Sequence, residues 1–169
     1  MNKANIKTWL RAIAVGIWII VLIMFTGQFV GLSAKYGRLI WAAPILPIIP
    51  ILGIFWLRPK EQIAAWALFT VWLGSTYAPL GGISELSVFA FIIVLALAGY
   101  LSSPWLLVLA WFGHIGWDFM PRELPELMHD LPIACMIFDG LIGTYLIWRI
   151  LSKKQPLTAI LRNGNIKNS

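Results

Sequence analysis

Long apolar stretches separated by short polar or turn-forming breaks make up most of the chain. A helix that crosses a bilayer needs about 20 mostly apolar residues, and six stretches approach or reach that length. Numbered in chain order, these segments cover residues 9–30, 39–57, 63–80, 86–101, 105–120 and 132–150. The pattern predicts an all-α, polytopic integral membrane protein: a bundle of six transmembrane helices. Residues 1–151 would form one domain, and 152–169 a basic cytoplasmic tail.

The second segment departs from this regular pattern because it contains Pro44, Pro47 and Pro50. Each proline removes a backbone donor and clashes with the preceding helical turn. In lipid, the carbonyl groups that lose their partners must be satisfied by neighbouring helices or water. The segment is therefore either a kinked packing helix or a broken helix that lines a cavity. If it only re-enters the membrane, the bundle has five transmembrane helices.

Composition supports the membrane assignment. Hydrophobic residues make up 60% of the chain and charged residues 12%, against about 25% charged in an ordinary soluble protein. Mean hydropathy is +0.82. So few charges cannot cover the surface of a soluble enzyme. The chain contains one cysteine, Cys135, so an intrachain disulfide is excluded.

The distribution of basic residues predicts an orientation. The chain carries 13 lysines and arginines against 7 acids, and the basic side chains gather at segment ends, as the positive-inside rule requires, rather than in a nucleic-acid-binding patch. With the N-terminus cytoplasmic, the inner side holds ten of them: Lys3, Lys7, Arg11, Arg58, Lys60, Arg149, Lys153, Lys154, Arg162 and Lys167. The outer side holds three: Lys35, Arg38 and Arg122. We predict a bacterial inner-membrane protein with both termini cytoplasmic and no nucleic-acid partner.

The acids and histidines are concentrated near the last two segments. Five of the seven carboxylates lie from Asp118 to Asp139, and both histidines, His114 and His129, lie in or beside this stretch. With the orientation above, the pattern predicts an acidic, histidine-bearing pocket that faces outward between segments five and six. Arg122 is expected in a solvated hairpin between them.

Helical spacing suggests which of these side chains meet. His114 and Asp118 are four residues apart and share one helical face. From the rise per residue, His114 lies about 9 Å and Asp139 about 12 Å below the outer ends of their segments. Because the two segments are antiparallel, we expect these two side chains to touch, with His129 nearer the rim.

Three chemical interpretations of this cluster remain open. In the first, it binds a divalent metal, with zinc the best match to imidazole and carboxylate ligands, and activates water. The four predicted ligands are His114, Asp118, His129 and Asp139. In the second, His114 and Asp139 form a proton relay. In the third, they form only a hydrogen bond between two helices.

The leading functional hypothesis follows from the first interpretation. It is a metal-assisted membrane enzyme that acts on a lipid-like or amphipathic substrate at the outer leaflet, with His129 and Asp118 as its catalytic groups. The alternatives are a small proton-coupled transporter or ligand-binding membrane protein, and a membrane subunit without chemistry of its own. A homo-oligomer would suit a chain this small.

Overall fold

A computed structural model describes residues 3–76 and 82–152. In these ranges the chain forms helices and no strand, as predicted. The helices are α1 (Lys3–Lys35), α2 (Leu39–Ala42), α3 (Ile48–Phe55), α4 (Pro59–Gly74), α5 (Gly82–Leu101), α6 (Pro104–Asp118) and α7 (Leu131–Leu151), with a 3-10 helix (Glu126–Met128) before α7. The predicted tail lies outside the described residues except for Ser152, and so does the predicted end of segment three.

Three of the described helical stretches are long and apolar enough to cross a membrane: Asn5–Lys35, Gly82–Leu101 and Glu126–Leu151. The helices α4 and α6 have 16 and 15 residues, which is short of the roughly 20 that a span requires. The fold therefore supports a helical membrane protein. That six segments cross the membrane stays a prediction.

The proline-rich second segment is an interrupted helix. It stops as α2 at Ala42 and resumes as α3 at Ile48. Between them the backbone makes tight turns, with the Ile45 N–H donating to the Ala42 carbonyl at 2.8 Å. Pro47 immediately precedes α3, where a missing N–H costs nothing because no helical partner exists for it. Ala43 and Pro47 keep right-handed helical backbone angles, and the Leu46 N–H donates to the Ala42 carbonyl at 3.0 Å, so the hydrogen-bond pattern is interrupted while the backbone keeps a helical course.

The core is an aromatic cluster where α4, α6 and α7 meet. The rings of Trp66 and Trp111 pack edge to face with centroids 6.0 Å apart, in the arrangement that aromatic quadrupoles favour. Phe69 and Ile142 are completely buried around them. These contacts bring α4, α6 and α7 together and fix the positions of the polar side chains that follow Trp111 along α6.

Polar side chains tie the helices at the end of the bundle that holds Arg149, named here the Arg149 end. The Gln62 amide donates to the carbonyls of Phe55 and Leu57, at 3.0 and 2.8 Å, which satisfies orphan groups after α3. Its oxygen accepts from Arg149 Nη2 at 3.0 Å. One buried amide thus connects α3, α4 and α7.

An ion pair connects α1 to α4 at the same end. Arg11 Nε donates to Glu61 Oε1 at 2.6 Å, and Nη2 donates to Oε2 at 2.9 Å. The Glu61 carboxylate also accepts from the Arg58 backbone N–H at 2.8 Å, at the start of α4. The hydrogen bonds from Arg11 hold the pKa of the Glu61 carboxyl below its ordinary value.

The close approach of α5 and α6 depends on Gly99. A Cβ atom at this position would lie 2.7 Å from the backbone nitrogen of Leu107, closer than such atoms approach in proteins. We expect Gly99→Ala to separate the helices and destabilise the protein by about 1–3 kcal/mol. Thermal unfolding in detergent, followed by circular dichroism, measures the effect.

Gly113→Ala is the matched control, because a Cβ there meets nothing within 4 Å. In a helix interior this substitution should be neutral or stabilising by up to about 1 kcal/mol. Equal unfolding temperatures for the two variants would contradict close packing at Gly99.

Candidate functional site

A buried ion-pair network lies at the opposite end of the bundle, named here the Arg122 end. Glu85, in the first turn of α5, is 3% exposed. It accepts hydrogen bonds from Trp117 Nε1 and from Arg122 Nε, the latter at 3.1 Å. The Arg122 side chain is 5% exposed. The expectation that Arg122 lies in a solvated hairpin is therefore wrong, because the buried carboxylate draws the guanidinium into the bundle.

Arg122 also interacts with α6. Its Nη1 lies 3.9 Å from Asp118 Oδ1, and its Nη2 donates to the Trp117 carbonyl at 2.6 Å. One cation thus offsets the charge of two buried carboxylates, those of Glu85 and Asp118. Because a buried charge without a partner is very costly, this network fixes how α5, α6 and the following loop meet.

His114 lies on α6 but faces α4 rather than α7. Its Nε2 is 3.0 Å from the Thr70 carbonyl oxygen, and since that oxygen can only accept, Nε2 carries the hydrogen. The absence of a side chain at Gly74 leaves room for the ring: a Cβ there would lie 3.1 Å from His114 Cε1. The histidine therefore holds two helices together through a backbone carbonyl.

Asp139 is the most isolated polar group in the described part of the chain. Its carboxyl group, on α7, is completely buried, and neither oxygen has a hydrogen-bond partner among the described residues. The Asp118 carboxyl is close enough to interact with it electrostatically. The predicted contact between His114 and Asp139 is not formed as a hydrogen bond, because the histidine is turned toward Thr70.

His129 is separated from the other three predicted ligands. Its side chain is 87% exposed, and its Nδ1 lies 3.7 Å from Asp130 Oδ1. The 3-10 helix that precedes His129 contacts α1, so His129 lies beside the end of that helix. Within the described ranges, no group of three or more His, Cys, Asp or Glu side chains is placed to hold a metal. The predicted zinc site with His129 therefore finds no support in this geometry. The catalytic role predicted for His129 stays a prediction.

A second feature, which we name the apolar cavity, lies between α1, the break in segment two, α4 and α7. Its volume is about 250 Å³ and its walls are almost entirely apolar. The lining residues are Thr26, Gly27, Val30, Gly31, Leu39, Leu46, Trp72, Leu73, Thr76, Leu131, Ala134, Cys135 and Phe138. Leu39 and Leu46 of the proline-rich segment form one wall of the cavity.

A polar recess, named here the rim recess, adjoins the apolar cavity. Its volume is about 410 Å³. It is lined by Ala34, Lys35, Gly37, Leu39, Glu126, Leu127, His129 and Asp130. Leu39 lines both spaces, so the apolar cavity and the rim recess meet at this residue.

Comparison of the chain with protein-family models, with curated proteins and with solved structures finds no match.

Sequence reasoning placed three of the four predicted ligands in the bundle interior but missed the pairing of Glu85 with Arg122. A signal for this pair was present. If successive segments alternate in direction, the start of segment four and the end of segment five lie at the same end of the bundle. Glu85 and Arg122, which stand at these two points of the sequence, are then neighbours. The apolar cavity was foreseen only as a consequence of a broken second segment.

Arg122 provides the first test of the site. Arg122→Met leaves two buried carboxylates without their cation, and we expect a loss of about 3–5 kcal/mol in unfolding free energy. Arg38→Met removes an exposed arginine and should change stability little. Chemical denaturation in detergent compares the two variants. Equal effects would show that the network contributes nothing to stability.

Asp139 gives the opposite expectation. Asp139→Val removes a buried polar group that has no partner among the described residues, which should raise the unfolding free energy by about 1–3 kcal/mol. Thr144→Val, on the same helix, removes a hydroxyl that only bonds its own helix at Gly140 and serves as the control. A clear destabilisation by Asp139→Val, measured by the same denaturation, would mean that the carboxyl has a partner in the membrane.

Proposed function

We propose that this protein is an integral membrane protein that binds the hydrocarbon chain of a lipid-like ligand in the apolar cavity. The observation that carries the proposal is the cavity itself, an almost wholly apolar space inside a helical bundle. All six helical segments lie in the membrane in this proposal, with both termini cytoplasmic. The short helices α4 and α6 are accommodated because longer helices pack against them.

The size of the apolar cavity supports a chain as its occupant. At about 250 Å³, it is smaller than the 300–1,000 Å³ typical of pockets for drug-sized molecules. The one hydroxyl on its α1 wall, that of Thr26, donates to the Leu22 carbonyl at 2.8 Å. This donor is therefore already used, and the wall favours a ligand group without polar atoms.

The polar side chains favour binding over metal-assisted hydrolysis. His114 is engaged with the Thr70 carbonyl, Asp118 with Arg122, and His129 lies on the surface. A hydrolytic centre would need these groups to converge on one reacting atom. The hypothesis of ligand binding needs no such convergence, because it rests on the shape of the cavity.

Gly31 offers the sharpest test of chain binding. It lines the apolar cavity, and a Cβ atom there meets nothing within 4 Å, so Gly31→Leu can fill the space without a clash at Cβ. We expect the protein purified in mild detergent to retain about one lipid per chain, and Gly31→Leu to lose most of it. Mass spectrometry of the intact complex counts the bound lipid.

Gly16→Leu is the matched control because Gly16 also lies on α1, also has open space at Cβ, and does not line the cavity. It should retain lipid as the unmodified protein does. Absence of bound lipid in the unmodified protein, or equal retention by both variants, would refute the proposed function.

A further inference from the structure

The rim recess carries charges of both signs. Lys35 supplies a cation at the end of α1, while Glu126 and Asp130 supply carboxylates from the 3-10 helix and the start of α7. His129 also lines the recess, with its Nδ1 3.7 Å from Asp130 Oδ1. A purely anionic ligand group would meet the two carboxylates, and a purely cationic one would meet the lysine. A group that carries both charges matches the recess on both sides.

The cation in the recess is held by a well-formed helix end. Gly37 adopts φ +62°, a left-handed conformation that glycine takes at little cost. The Arg38 N–H donates to the Ser33 carbonyl at 2.8 Å, and the Gly37 N–H donates to the Ala34 carbonyl at 2.9 Å. These bonds end α1 sharply, which leaves Lys35 in the last turn, beside the recess.

The two spaces meet at a single residue. Leu39 lines the apolar cavity and the rim recess, and its side chain is buried. The two spaces are therefore neighbours, and a molecule with an apolar chain and a charged head matches them in this order, with the chain on one side of Leu39 and the head on the other.

We propose that the rim recess binds the head group of a zwitterionic phospholipid that carries a primary amine. This inference rests on the proposed function, since the chain of the same lipid occupies the apolar cavity. The phosphate faces Lys35, and the ammonium group faces Glu126 and Asp130.

The chemistry of the recess selects a primary amine over a quaternary one. An ammonium group donates up to three hydrogen bonds, and carboxylates are strong acceptors for them. Quaternary ammonium groups donate none and are recognised by aromatic cages. The residues that line the recess include two carboxylates and no Phe, Tyr or Trp.

The test is a competition among phospholipids with identical acyl chains. The purified full chain is offered equal amounts of phosphatidylethanolamine, phosphatidylcholine and phosphatidylglycerol, and mass spectrometry of the intact complexes measures each bound fraction. We expect phosphatidylethanolamine to be bound about tenfold better than either competitor.

Two variants separate the contributions of the two charges. Glu126→Gln should reduce the preference for phosphatidylethanolamine over phosphatidylcholine several-fold, and Glu123→Gln, an exposed acid of the same loop, should not. Lys35→Gln should weaken binding of all three phospholipids, whereas Arg38→Gln, which does not line the recess, should leave it unchanged.

The outcomes distinguish the inference from the function on which it rests. Equal binding of the three phospholipids, or a preference for phosphatidylglycerol, overturns the zwitterionic head group, and the chain site stands if Gly31→Leu still displaces lipid. A preference for phosphatidylethanolamine that Glu126→Gln leaves undiminished also overturns it. If the unmodified protein binds none of the phospholipids, both the inference and the proposed function fail.

Discussion

The placement of the Arg122 guanidinium between the carboxylates of Glu85 and Asp118 is the interaction on which the Arg122 end depends. Buried charges must be paired or they destabilise the fold, and a single cation meets this need for two acids on two helices. The pairing draws the start of the α6–α7 loop into the bundle. The 3-10 helix later in that loop contacts α1, which places Glu126 and His129 at the rim recess.

The prolines of the second segment impose the other constraint. They interrupt the regular α-helix between Ala42 and Ile48. Leu39 and Leu46 of this segment line the apolar cavity. One wall of the cavity is therefore formed by a segment whose distortion follows from prolines in the sequence, whereas the rim recess is lined by a loop that a tertiary ion pair positions.

The all-α fold and most helix positions could be predicted from apolar patterning: segment six was placed at 132–150 and α7 covers Leu131–Leu151. Apolar patterning could not predict which side chain His114 contacts, and the expected pairing with Asp139 is not formed. The rise per residue fixes the depth of a side chain but not its rotation about the helix axis, and His114 is rotated toward Thr70 on α4. The burial of Arg122 was missed for a related reason, since a position in a polar loop says nothing about a carboxylate on another helix.

In the proposed lipid complex, affinity and selectivity would arise from different parts of the molecule. A hydrocarbon chain that leaves the bilayer for the apolar cavity gains little, because lipid tails are as apolar as the cavity walls. The cavity therefore provides shape and position, and the free energy that distinguishes one lipid from another must come from the head group. In this protein the groups able to provide it, Lys35 and Glu126, lie on the helix end and loop that the Gly37 turn and the Arg122 network position. The buried interactions thus act on recognition indirectly, by placing exposed charges where a membrane head group lies.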